Sequence, residues 1–205
     1  VKTLAAVKEA VSIPVVADIH FDYKCALESV AAGVDKIRIN PGNIGSEDRI
    51  KAAADACRQH NVPSRIGVNS GSLEKDLLAK YGSPTPDALC ESAMRHVALL
   101  EKFDFNDIVI SIKSSDVSRM VAAYRKIATL CDYPLHLGVT EAGTERMALI
   151  KSAAGIGALL LDGIGDTIRV SMTADPVREV AAGFDILKAV DLKTDCPRIV
   201  SCPTC

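Results

Sequence analysis

Short apolar runs that end in polar side chains recur along the chain, each followed by a loop and then by a longer stretch of helical spacing. Residues 36–45, K-I-R-I-N-P-G-N-I-G, set the type: an alternating strand carries Arg38 and Asn40 on one face and runs into a Pro-Gly loop. The same pattern predicts strands at 15–21, 36–40, 65–69, 108–113, 135–140 and 166–172, and a short last one at 198–201. Helical spacing predicts helices at 1–12, 23–32, 46–60, 87–102, 115–131, 143–154 and 176–190, the first stopping ahead of Pro14. The stretch 79–87, with Gly82, Pro84 and Pro86, reads as an irregular loop, and 155–165 as a glycine-rich apolar segment. Strand and helix alternate, so a parallel sheet with helical crossovers is predicted.

The strand ends carry the candidate chemistry. Asp18 and His20 are two apart and share a side, which suits an acid–base pair, two metal ligands, or an Asp orienting a structural His. Arg38 and Asn40 lead into the loop 40–45, whose glycines suit either a phosphate at the next helix or a simple turn. Arg65 and Asn69 lie at either end of one strand, and Arg169 and Ser171 on another. Lys113 closes an apolar strand, as an imine-forming amine, an anion ligand or a cap for the next helix. Thr140 and Glu141 end the strand that His136 begins; His136 and the helical His96 read as structural or surface groups. If the strands close into an α/β barrel, Arg38, Arg65, Lys113 and Arg169 meet at one mouth. Such a set needs an anion, and a diphosphate matches guanidinium geometry; separate Arg–carboxylate pairs are the alternative.

Composition narrows the picture. At 205 residues and 48% hydrophobic content the chain suits one domain, and 24 Lys and Arg against 26 Asp and Glu leave no basic field for nucleic acid. There is no Trp for base stacking and no apolar run of bilayer length. Seven cysteines, an odd number, argue against a secreted disulfide framework and for a reducing compartment. Cys25, Cys57, Cys90 and Cys131 fall in helical contexts and read as buried inert thiols. Cys202 and Cys205 form C-P-T-C, whose spacing suits zinc, a redox disulfide or half of an iron–sulfur site. Val1 lies inside a helical pattern and Cys205 just past a strand, so both ends are expected to lie within a longer protein.

The motifs A-D-I-H-F (17–21), R-I-N-P-G-N-I-G (38–45), R-I-G-V-N (65–69), G-S-L-E-K-D (71–76), L-H-L-G-V-T-E-A-G (135–143), G-I-G-D-T-I-R-V-S (163–171) and C-P-T-C occur in one order along nearly the whole chain. Together they resemble the hydroxymethylbutenyl diphosphate synthase family, iron–sulfur enzymes of the methylerythritol phosphate route to isoprenoids. The resemblance implies a TIM-type (β/α)8 barrel over 1–197, lacking its first two strands, and the start of a cluster domain at 198–205. It implies reductive ring opening and dehydration of a methylerythritol cyclodiphosphate, with Arg38, Asn40, Arg65, Asn69, Lys113, Arg169 and Ser171 on the substrate. Asp18, His20, Thr140 and Glu141 would line the same pocket as catalytic groups.

The resemblance further implies a [4Fe–4S] cluster on Cys202, Cys205, a third cysteine and a glutamate beyond this chain, which alone is expected to turn over little. It implies ferredoxin or flavodoxin as electron donor, a homodimer of the full-length protein, no nucleic-acid or membrane partner, and a bacterial cytoplasmic or plastid location. A lyase or aldolase barrel using Lys113, and a non-catalytic diphosphate-binding barrel, are the other readings.

Overall fold

Strands β1 (Val16–Asp18), β2 (Lys36–Ile39), β3 (Ser64–Asn69) and β4 (Ile108–Lys113) form a parallel sheet in sequence order, in a computed structural model that describes residues 2–20, 22–195 and 197. Strands β5 (His136–Leu137) and β6 (Thr167–Ile168) pair in parallel, and a bridge from Ile110 to Leu135 joins them to β4. The helices α1 (Lys2–Ala10), α2 (Tyr23–Ala31), α3 (Pro41–Ile44), α4 (Glu47–His60), α5 (Lys75–Tyr81), α6 (Pro86–Glu101), α7 (Val117–Ile127), α8 (Glu145–Leu161) and α9 (Pro176–Ala189) fill the connections. No ladder joins β6 to β1 among the described residues.

Alternation along each strand separates two faces. Ile37, Ile39, Ile66, Val68, Ile110, Ile112 and Leu137 are buried against the helices, where they meet Val30, Ala53, Leu89, Val97, Met120 and Ile156. The opposite face carries Asp18, Arg38, Arg65, Asn69, Ser111, Lys113 and His136. Side-chain caps set the helix starts: Asp22, Asn40, Thr85, Asp116 and Asp175 each accept a hydrogen bond from a first-turn N–H.

The predicted strands at 135–140 and 166–172 keep only two residues of ladder each. Between β4 and β5 the reason is a side chain. Ile110 N–H donates to Pro134 O at 2.9 Å, and the next rung would run from Ile112 N–H to His136 O. Instead the Tyr124 hydroxyl, fully buried on α7, accepts from Ile112 N at 2.9 Å and donates to His136 O at 2.5 Å.

Three further departures from the sequence reading have local causes. The helix predicted over 143–154 starts at Glu145 and continues through the glycine-rich segment to Leu161. Gly155 serves close packing there, since a Cβ would lie 2.7 Å from Met120 Cε and 3.2 Å from Val117 Cγ1. The short α3 and α5 occupy stretches without enough turns to display a period, and α5 ends at Gly82, whose φ is +73°. Cys25, expected to be buried, is exposed, because it points from the outer face of α2. The strand expected at 198–201 lies outside the described residues.

Burial pushes the Cys57 thiol up to about 12 and the Cys90 thiol up to about 11. Native-state alkylation with iodoacetamide at pH 8, mapped by mass spectrometry, should therefore modify Cys25 while Cys57 and Cys90 react only after denaturant. Equal rates at Cys25 and Cys57 would contradict the packing of α4 on the sheet.

Candidate functional site

Register brings the first charged row together. Asp18 pairs with Arg38 and Arg38 with Arg65 as Cα neighbours on adjacent strands, so the three side chains leave one face of the sheet at one level. Arg38 is 4% exposed, and its Nη1 donates to Asp18 Oδ1 at 3.0 Å. Its guanidinium lies across β3 at Gly67, where a Cβ would come within 2.8 Å of Arg38 Cζ. Gly67 thus matters for close approach, and its backbone conformation is ordinary.

Toward the loop end, Asn69 pairs with Lys113. Lys113 is 8% exposed, and no carboxylate reaches its Nζ among the described residues. Burial first, then the charges of Arg169, Arg38 and Arg65, push its ammonium down to about 8, with Asp18 partly opposing them. Three cations on neighbouring strands and Arg169, just past β6, therefore act on one another. Burial, followed by the charges of Arg38 and Arg169 against that of Asp18, also lowers the Arg65 guanidinium below its ordinary value.

Other predicted residues sit around this group at the strand ends. Asn40 Oδ1 accepts from Gly42 N at 3.1 Å, capping α3, and its Nδ2 is 3.4 Å from Ser72 Oγ. His20 is exposed, with Nε2 at 3.7 Å from Asp18 Oδ1. Arg169 is exposed, and its N–H donates to Leu137 O at 2.9 Å; Ser171 follows two residues on and is half-buried. Thr140, half-buried, donates its N–H to Ser114 O at 3.3 Å, and Glu141 beside it is exposed with φ at +51°. Neither Thr140, Glu141 nor Ser171 makes a direct side-chain bond to the cations among the described residues. Cys202 and Cys205 lie outside the described residues.

Two groups at the site escape a strand-end reading of the sequence. Beside the arginine row, Arg65 Nη1 lies 3.1 Å from His136 Nε2, and His136 Nδ1 lies 2.8 Å from Thr167 Oγ1. Behind the loop after β2, His96 Nε2 and Ser92 Oγ reach Glu74 at 2.9 and 2.8 Å. Burial would raise the Glu74 carboxyl, but the bonds from His96, its own backbone N–H and Ser92 outweigh it and pull the group to about 2. A Cβ at Gly42 would stand 3.8 Å from His96 Nε2, so this pair backs the turn that delivers Asn40. The sequence signal for Glu74 was the G-S-L-E-K-D motif; for His96 there was none beyond a polar residue on a buried helix face.

Chemically, this face differs from the apolar layers that fill most α/β barrels. Arg38 Nε, Arg65 Nε and Asn69 Oδ1 are buried without a hydrogen-bond partner among the described residues, a costly state that an anionic, hydroxyl-bearing ligand would relieve. An apolar groove of about 300 Å³ between β6 and α9 is lined by Ile168, Val170, Val180 and Phe184, with Arg169 at its edge. No group of three or more His, Cys, Asp or Glu side chains could hold a metal ion among the described residues.

Comparison with known proteins adds the following. Residues 1–184 match the family profile described as the GcpE TIM-barrel domain. The chain is 59% identical over 204 residues to the 4-hydroxy-3-methylbut-2-en-1-yl diphosphate synthase (flavodoxin) of Fusobacterium nucleatum subsp. nucleatum, covering 100% of this chain and 58% of that protein. It is 58% identical to the synthase of the same name from Saccharophagus degradans, covering 100% of this chain and 55% of that one. The chain thus spans little more than half the length of these relatives. Among solved structures, dihydropteroate synthase from Stenotrophomonas maltophilia superposes with a TM-score of 0.63 at 16% identity, over 92% of this chain and 72% of that one. Type I 3-dehydroquinate dehydratase from Clostridium difficile superposes at 0.59 with 11% identity, over 92% of this chain and 74% of that one. At these identities the two superpositions speak for the barrel fold alone.

Proposed function

The chain belongs to the GcpE TIM-barrel family, and from that premise we propose that it is the substrate-binding barrel of a 4-hydroxy-3-methylbut-2-enyl diphosphate synthase. The reaction proposed is reductive opening of 2-C-methyl-D-erythritol 2,4-cyclodiphosphate, which takes up an electron pair and protons and expels water. One observation carries the reading: Arg38 and Arg65 on adjacent strands, Lys113 and Arg169 lie close enough to act on one another, with Asp18 the one carboxylate paired with any of them among the described residues. Arg38 and Arg65 would grip the diphosphate through paired N–H groups, and Lys113 would act as a point donor. Asn40, Asn69 and Ser171 would bond the remaining phosphate and hydroxyl oxygens. Asp18, His20, Thr140 and Glu141 are the groups at the mouth able to hold or move the proton that departing water needs.

The family implies a [4Fe–4S] cluster, which when bound would supply the electrons. The described residues offer no set of ligands for it. Cys202 and Cys205, spaced by two residues, are proposed as two of its thiolates, at the start of a second domain following a barrel over 1–197. Flavodoxin, specified in the relatives' names, is the proposed donor, and a homodimer of the full-length protein the proposed assembly.

Calorimetric titration of the chain with the cyclodiphosphate at pH 7 and pH 9 tests the reading. The Lys113 ammonium at about 8 is mostly charged at pH 7 and mostly neutral at pH 9, while the ligand's strongly acidic phosphate groups keep their charge. Affinity should fall roughly tenfold across that range. Replacing Lys113 with Met should remove most of this dependence. No binding at pH 7 by the folded chain would overturn the proposal.

A further inference from the structure

We infer that His136 is a positioning residue: held by Thr167 and by its own backbone, it accepts a hydrogen bond from Arg65 and so determines which edge of that guanidinium faces the ligand. The inference rests on the diphosphate reading of the mouth and adds a residue to it.

A guanidinium nitrogen can only donate, so the 3.1 Å contact makes His136 Nε2 an acceptor. The ring proton then resides on Nδ1, where it donates to Thr167 Oγ1 at 2.8 Å. The tautomer is therefore dictated by partners on two other strands, β3 and β6. The backbone of His136 is fixed independently, since its carbonyl accepts from the Tyr124 hydroxyl on α7. Ring and main chain are both held, and neither is free to follow Arg65 if Arg65 moves.

Charge explains why an imidazole suits this place. Arg38 is backed by the Asp18 carboxylate, which spends part of its positive charge before any ligand arrives. Arg65 is backed by a neutral ring, which orients it and leaves its charge for the anion. Protonation would turn the acceptor into a second donor facing Arg65. Burial opposes that first, and the charges of Arg65 on β3, Lys113 on β4, Arg169 just past β6 and Lys36 on β2 oppose it further, pushing the imidazole down to about 3. With Nη1 committed to His136, Arg65 keeps Nη2 and the otherwise unpartnered Nε, one edge of the fork, for a phosphate.

Nitrogen NMR of the chain carrying ¹⁵N-histidine reads the tautomer directly, the His136 signals being identified by their loss in His136→Gln. Expected is a protonated Nδ1, a bare Nε2 and no titration between pH 8 and pH 5; a protonated Nε2, or titration near the ordinary histidine value, would overturn the inference. Binding of inorganic pyrophosphate at pH 7 reads the coupling. Arg65→Ala and His136→Leu should each weaken it about ten- to a hundredfold, and the double variant no more than Arg65→Ala alone. His136→Gln, which restores an acceptor, should recover most of the affinity. Additive losses in a folded double variant, judged by circular dichroism, would overturn the positioning role. Unchanged binding in Arg65→Ala would instead overturn the diphosphate reading, while the tautomer would still report whether the His136–Arg65 bond exists.

Discussion

Replacing Arg38 with Ala is expected to weaken cyclodiphosphate binding by about 10- to 150-fold, the worth of a hydrogen bond to a charged group at roughly 1.5–3 kcal/mol. Arg38 is 4% exposed and aimed along the sheet face by Asp18, so its fork is organised before the ligand arrives. Gly67→Ala should produce much of the same loss with the arginine still present. A methyl group there would stand 2.8 Å from Arg38 Cζ, and the guanidinium must leave its seat over β3 to make room. Calorimetry with the cyclodiphosphate measures both variants, and thermal unfolding separates lost binding from lost fold. A folded Gly67→Ala chain that binds as tightly as the parent would refute the path of Arg38 across β3. Arg38→Lys should not rescue either, because an ammonium cannot serve Asp18 and a phosphate from one rigid plane.

Tyr124→Phe should destabilise the fold by about 2–4 kcal/mol, through two buried backbone groups that lose their partner together. The hydroxyl stands as a rung between β4 and β5: Ile112 N–H donates to it and it donates to His136 O. Burial pushes the phenol up, so it remains a donor throughout the working range of pH. Urea unfolding measures the loss, and faster hydrogen exchange at the Ile112 amide would locate it. A change below about 0.5 kcal/mol would mean that the strands close on each other and form the direct rung. Since the same carbonyl belongs to His136, the variant should also loosen the group that orients Arg65.

Asn69 and Lys113, which close β3 and β4, were legible because parallel strands all present the same end, while Arg38 and Arg65, which lie earlier on their strands, were legible only through the alternation that puts them on the same face. The helix through Gly155 was not, since a glycine that permits a close contact with Met120 is written with the same letter as one that ends a helix. His136 looked structural because it opens its strand. His136 is buried, and Arg65, 71 residues earlier, carries no mark of the pairing. Glu74 and His96 meet behind the Asn40 turn for a similar reason: α6 packs over β3, and only that packing sets a helix residue against a loop residue.

By itself, the order of apolar runs, helical stretches and strand-end polar residues determined a parallel α/β architecture and the family motifs, and it singled out the cations proposed for the substrate. Those depend on periodicity and topology, which are local properties repeated along the chain. Only the tertiary structure decided which partner backs each cation: Asp18 behind Arg38, neutral His136 behind Arg65, and, among the described residues, no carboxylate within reach of Lys113. Hydrogen bonds and burial act over a few ångströms between residues far apart in sequence, and the same arginine acquires a different chemistry according to what folding sets beside it.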